Sequence, residues 1–214
     1  MKLYNYFRSS ASYRVRIALN LKGLDYEYLS IHLTRGGGEQ FAPGFQALNP
    51  QALVPALQDG AHTLTQSLAI IEYLEETRPQ PRLLPADPVA RARVRSLALA
   101  IACEIHPLNN LRVLNYLTKT LGVSEDAKVA WYRHWVAVGL EAVEAQVAAG
   151  PAGQFCVGDT PGLADCCLVP QLFNARRFGC DLTAYPTLLA IEKNCDALEA
   201  FQRAAPGKQP DAEK

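Results

Sequence analysis

The chain has 214 residues, balances 21 Lys+Arg against 21 Asp+Glu, and is 49% hydrophobic, a length that suits one large domain or two small ones. The neutral balance argues against electrostatic binding to nucleic acid or to an anionic membrane surface. No charged–apolar–small pattern at the start reads as a secretory signal, and no apolar run reaches the length of a membrane span.

The first element in chain order is KLYNY (Lys2–Tyr6), an alternating run that reads as a strand. Next comes YFRSSASYRVRIAL, in which Arg8, Ser9 and Ser10 stand just ahead of an amphipathic helix over Tyr13–Leu21 that stops at Gly23. A serine pair at a helix start reads as a cap. It also reads as an anion site, because the helix N-terminus presents unpaired N–H groups and partial positive charge. YEYLSI (Tyr26–Ile31) reads as a second strand, so strand, helix and strand form a parallel βαβ unit.

Thr34–Pro50 is rich in Gly and Pro and reads as a mobile loop holding a short helix. Leu53–Gln58, the Asp59–Gly60 turn and His62–Thr65 read as a β-hairpin, with Pro55 anomalous unless it lies on an edge strand or follows a cis bond. Gln66–Pro79 reads as a helix with Glu75 on its outer side. Pro79, Pro81, Pro85 and Pro88 mark a linker.

From Asp87–Pro88, an N-cap followed by proline, only helical periodicity remains: Val89–Thr120, Ser124–Ala149, Leu163–Phe178 and Thr187–Arg203. The tail Pro206–Lys214 is polar and reads as loose. The expected fold class is therefore α/β plus all-α, with an α/β domain over residues 1–80 and a helical domain over residues 87–214. Cys103, Cys156, Cys166, Cys167, Cys180 and Cys195 form no CxxC pair, and the four histidines no HxxxH pair. They point to a reducing, cytoplasmic setting and to no metal site.

Several separated stretches carry a resemblance: LNPQALVPAL (Leu48–Leu57), LTQSLAIIEYLEE (Leu64–Glu76), RLLPADPVARARVR (Arg82–Arg95) and VGDTPGLADCCLVPQL (Val157–Leu172). Together they resemble glutathione transferases, which join a thioredoxin-like glutathione-binding domain to a helical domain for the second substrate. FRSSASYRVRIAL is similar to the signature of the zeta class, with Ala11 in place of the usual Cys and Tyr13 in place of Trp. HPLNNLRVL (His106–Leu114) and KQPD near the end fit the same class.

The resemblance implies a glutathione-dependent cis–trans isomerase working by thiolate addition, bond rotation and elimination. The group most similar converts maleylpyruvate to fumarylpyruvate in gentisate-type aromatic catabolism. Maleylacetoacetate isomerisation, a transferase acting on halogenated acids, and a non-catalytic binding role are the alternatives. The implied partners are a dianionic keto acid and a second copy of the chain.

For the site, the resemblance implies that Ser9 faces the glutathione sulfur, with Ser10, Ala11, Ser12, Tyr13 and Arg14 completing that contact and capping left to Ser10 or Ser12. Val54, before a cis Pro55, would meet the cysteinyl backbone. Gln66 and Ser67 would take the γ-glutamyl carboxylate at a helix start, where Ser67 also reads as a plain cap. Gln40 is a further glutathione contact.

His106 and Asn110 share a face at i,i+4 spacing, in a helix that Pro107 should kink. With Leu111 and Arg112 they complete the implied glutathione contacts. Arg8 and Arg176 suit the substrate carboxylates, since guanidinium pairs bidentately and stays charged. Arg176 also reads as a solvated charge at a helix C-terminus. Gly162 replaces the usual Ser or Thr of a capping box completed by Asp165.

Overall fold

The computed structural model describes residues 1–150 and 153–213. The chain divides into two compact units, Leu84–Cys195 and a discontinuous one built from Met1–Leu83 with Asp196 onward. The expected domains, 1–80 and 87–214, differ from this at the C-terminal end, because the last helix and the tail pack into the first unit.

The first unit is a four-stranded sheet with helices. Strand β1 (Lys2–Asn5), helix α1 (Ser10–Leu21) and β2 (Glu27–Ser30) are followed by 3₁₀ turns at Arg35–Gly37 and Glu39–Phe41 and by α2 (Pro43–Leu48). Then come β3 (Ala56–Asp59), β4 (His62–Thr65) and α3 (Ser67–Thr77). The sheet order is β2-β1-β3-β4. β1 and β2 are parallel, as the βαβ reading requires, while β3 and β4 form the antiparallel hairpin with Asp59 opposite His62. Pro55 is no anomaly. It follows a cis Val54–Pro55 bond and β3 begins one residue later, so no ladder bond is asked of it.

Helix α1 ends where the glycine predicts. Gly23 has φ +62, and Leu24 N–H reaches back to Leu19 O at 2.9 Å. Two of its basic residues do not face solvent. Arg14 and Arg16 are 2% and 0% exposed. Arg16 is accommodated in the core because each of its three guanidinium nitrogens is engaged: Ala204 O at 3.0 Å, Asn5 Oδ1 at 3.0 Å, Tyr6 O at 3.3 Å and Phe7 O at 2.9 Å. Glu75 is likewise buried rather than on the outer side of α3. It accepts from Lys22 Nζ at 2.8 Å and from Leu83 N–H at 2.9 Å.

The second unit is helical: α4 (Pro88–Leu99), α5 (Leu111–Lys119), α6 (Glu125–Ala148), α7 (Leu163–Arg177) and most of α8 (Pro186–Asp196). The helix expected over Val89–Thr120 is broken. After α4 the chain runs as a π-helix over Ala100–Ile105 and a 3₁₀ turn over His106–Asn109, and α5 starts anew. Pro107 has no N–H to continue an α-helical ladder, so the kink expected there becomes a change of helix type. Gly139 on α6 makes room for this segment, since a Cβ there would lie 2.2 Å from Ile105 Cγ1. Asp165 carries the capping box as expected, accepting from Gly162 N–H at 2.8 Å and Cys156 N–H at 2.9 Å.

The helix expected over Thr187–Arg203 is two helices, α8 and α9 (Glu199–Ala204). The tail that follows is not loose. A 3₁₀ turn at Pro206–Lys208 leads to buried Gln209, whose Nε2 donates to Arg203 O and Ala205 O, both at 2.8 Å. Lys214 lies outside the described residues.

Candidate active site

The β1–α1 turn presents Ser9. Helix α1 starts at Ser10, three residues before the expected Tyr13, and Ser9 is its N-cap with φ −67 and ψ 119. Ser9 Oγ accepts from Ser12 N–H at 3.2 Å, so capping belongs to Ser9 rather than to Ser10 or Ser12. Ser12 Oγ instead accepts from Tyr6 N–H at 3.4 Å. Both readings of the serine pair are compatible, because a capping hydroxyl uses a lone pair and keeps its hydrogen to donate. Ser10 is buried, Ala11 and Ser9 are half-buried, and Ser12, Tyr13 and Arg14 are buried behind them.

Arg8 is half-buried beside Ser9. Its Nη2 pairs with Glu213 from the tail, its guanidinium lies 4.7 Å from the Phe7 ring centroid, and its Nε–H is buried without a hydrogen-bond partner. Glu213 was not anticipated, because the tail reads as loose and no local pattern signals a partner so distant in sequence.

In the same unit, Val54 is buried before the cis bond. Gln66 takes the N-cap position of α3 with φ +67, a region costly for a residue with a Cβ, and its Nε2 donates to Gln51 Oε1 at 2.8 Å. Ser67 Oγ accepts from Arg14 Nη1 at 3.2 Å, so Ser67 is held from below by a buried cation. The sequence did not suggest that link. Gln40 is buried; its Nε2 donates to Leu33 O at 3.3 Å while its Oε1 has no partner.

The second unit gathers another group. Asn110 caps α5, its Oδ1 accepting from Arg112 N–H at 3.1 Å. His106 and Asn110 do not share a helical face, because Asn110 is extended at ψ 146. Their side chains still lie 3.5 Å apart, Nδ2 to Nε2. Trp131 Nε1 donates to Leu108 O at 2.9 Å and fixes the turn between them. Leu111 and Arg112 form the first turn of α5. Arg176, near the end of α7, is committed at least in part, since Nη1 and Nη2 both pair with the Glu192 carboxylate. Among the described residues, no group of His, Cys, Asp or Glu could hold a metal ion, and no helix is long and apolar enough to cross a membrane.

A family model for the glutathione S-transferase N-terminal domain matches residues 3–82. A maleylpyruvate isomerase from a Ralstonia species is 56% identical over 99% of this chain and 100% of the relative. A solved holo structure of a maleylpyruvate isomerase, described as a bacterial zeta-class glutathione S-transferase, superposes with a TM-score of 0.97 at 55% identity, covering 100% of both chains. A maleylacetoacetate isomerase from Methylobacterium extorquens, solved with malonate and glutathione, has a TM-score of 0.96 at 44% identity, again over 100% of both chains. With the turn, the cis bond and the two helix starts in place, this full-length similarity identifies the chain as a member of the glutathione transferase family, in its zeta class.

Proposed function

We propose that the chain is a glutathione-dependent cis–trans isomerase that converts maleylpyruvate to fumarylpyruvate. The observation that carries the reading is Ser9 at the N-terminus of α1, with a hydroxyl hydrogen left to donate and Arg8 adjacent.

The residues present fit glutathione. The N-terminus of α1 and that of α3 each offer N–H groups and partial positive charge to an anion. The buried Nε–H of Arg8 and Oε1 of Gln40 lack partners that a polar ligand would supply. We assign the glutathione contacts to Ser9–Arg14, Gln40, Val54, Gln66 and Ser67 in the first unit, and to His106, Asn110, Leu111 and Arg112 in the second. When bound, glutathione supplies a thiolate that adds reversibly to an activated double bond, which can then rotate.

The chain's own part is electrostatic. Ser9 donates a hydrogen bond to the sulfur position and holds it toward the thiolate form. Main-chain groups of Val54 hold the cysteinyl unit, while Gln66 and Ser67 hold the γ-glutamyl carboxylate. Arg8 offers positive charge where substrate charge builds up. We assign Arg176 to the distal substrate carboxylate, its fork then being shared with Glu192. Ala11 leaves no thiol at that position, so the chemistry rests on the serine, the helix start and the arginines.

Maleylacetoacetate is the second candidate substrate, supported by the name of the Methylobacterium relative. Loss of maleylpyruvate absorbance, followed with and without glutathione and repeated with maleylacetoacetate, tests the reading. Equal rates with and without glutathione would sink it, and a higher kcat/KM for maleylacetoacetate would reassign the substrate. We further infer a cytoplasmic homodimer; light scattering that gives a monomer mass at micromolar concentration would remove the dimer.

A further inference from the structure

We propose that Asp211, in the C-terminal tail, is a positioning residue that holds the β1–α1 turn in the geometry that presents Ser9. The proposal rests on the role given to Ser9 above.

The turn from Tyr6 to Ser9 leaves several main-chain groups that neither the sheet nor α1 takes up. Each needs a partner in the interior. The carbonyls of Tyr6 and Phe7 are met from inside by Arg16 at 3.3 and 2.9 Å. The Phe7 N–H is met from the other side by Asp211 Oδ2 at 3.2 Å. The Phe7 residue, two before Ser9, is thus gripped at both its N–H and its carbonyl by two charged groups of opposite sign.

Asp211 is itself fixed. The same Oδ2 accepts from Ser30 Oγ at 2.9 Å, and Oδ1 accepts from the Tyr28 hydroxyl, both on β2. Burial works against the charge of Arg16, and the Asp211 carboxylate is among the groups that offset it. Neighbouring tail residues reinforce the grip. Ala212 packs on the cluster of Tyr6, Phe7, Phe45, Val54 and Ala56. Glu213 pairs with Arg8 and accepts from His32 Nε2 at 2.9 Å. A tail serving only to cover the sheet would need the Ala212 contact. It would not need a carboxylate on the main-chain N–H of Phe7, two residues before Ser9.

Asp211 is bonded to the turn at Phe7 N–H and not to Ser9, so its effect on Ser9 passes through the turn. Misplacing a reacting group by about 1 Å can cost on the order of 100-fold in rate. The test compares Asp211→Ala and Asp211→Asn with the wild type.

In the glutathione-free protein, amide hydrogen exchange at Phe7 and Ser9 should accelerate by about tenfold or more in Asp211→Ala, while Ile70 and Ile71 in α3 keep their protection. With glutathione bound, the thiolate absorbance should titrate about one unit higher, and kcat should fall about tenfold with KM for glutathione nearly unchanged. Asp211→Asn keeps one acceptor oxygen and should fall between. Thermal melts identify any variant that fails to fold; Asp211→Asn then carries the comparison.

Exchange at Phe7 and Ser9 unchanged in a folded variant, or accelerated uniformly through the unit, would overturn the proposal and leave Asp211 as packing. If the wild type showed no isomerisation, the proposed function would fail while the exchange result still decided whether Asp211 holds the turn.

Discussion

Ser9→Ala separates the two jobs that one hydroxyl performs. The first is structural. Ser9 Oγ caps α1 through Ser12 N–H at 3.2 Å, and losing such a cap costs about 1 kcal/mol, or a Tm lower by about 2–4 °C for a protein of this size. The second is the hydrogen bond to the thiolate. A hydrogen bond to a charged group contributes about 1.5–3 kcal/mol, and one pKa unit corresponds to about 1.36 kcal/mol. The bound glutathione thiol should therefore titrate about one to two units higher in Ser9→Ala. A raised thiol pKa keeps the sulfur protonated to higher pH, so the acid limb of the kcat profile moves up by the same amount and the rate recovers in alkali. Ser9→Asp keeps a capping acceptor but brings a negative charge and no proton to donate. Its Tm should stay near that of the wild type while the thiol pKa rises further than in the alanine variant. The assay is thiolate absorbance against pH with glutathione saturating, beside a thermal melt. A lowered Tm with an unmoved thiol titration in Ser9→Ala would reduce Ser9 to a cap and refute the reasoning.

Lys22→Met should destabilise the protein by about 3–5 kcal/mol in urea melts, because it removes the cation that balances the buried Glu75 carboxylate; adding Glu75→Leu should recover much of the loss. Asp59 accepts from Tyr73 at 3.0 Å and Arg78 at 2.8 Å. Partial burial opposes its charge, but these bonds outweigh it and hold its carboxyl below the usual value. A depressed folded pKa stabilises above the unfolded pKa and is lost as pH falls through the folded one. Asp59→Asn should therefore be less stable than wild type at pH 7, by a margin that shrinks as the pH is lowered through the acid range, as read by melts across that range. Gly139→Ala should cost about 1–3 kcal/mol by driving a methyl into Ile105, and Ile105→Val should restore part of it.

The elements written in local pattern were legible. Alternation over Lys2–Tyr6, the Asp-Gly turn and the glycine stop at Gly23 each bring together neighbours in sequence, and each appears where the pattern puts it. The long helix from Val89 failed because periodicity persists through a π-helix and a 3₁₀ turn; only Pro107 carried a warning, and it understated the break. Glu75 was misplaced because charge in a helix reads as outward-facing unless a partner is known, and the burial of Arg16 went unanticipated for the same reason. Their partners are main-chain carbonyls and a lysine that no local spacing connects. The tail failed for the same reason on a larger scale. Asp211 and Glu213 look like solvated acids beside Pro210, yet their partners lie at Phe7, Arg8, Tyr28 and His32, near the other end of the sequence. For the site, the serine pair and Val54–Pro55 stood out. The Glu192 carboxylate on Arg176 did not, since the two residues sit on different helices.

The discontinuity of the first unit bears on how the protein is made. A chain leaving the ribosome N-terminus first exposes α1 and its Arg16 long before α9 exists to receive them. Until Ala204 emerges, the Nε–H of Arg16 lacks its carbonyl, and the face of α1 that packs on α9 stays open to water and to other nascent chains. The helical stretch Leu84–Cys195 is contiguous and complete before then, so it can fold first and wait. A fragment cut at Leu83 to isolate the sheet would carry that open face permanently, because α9 would never arrive to cover it.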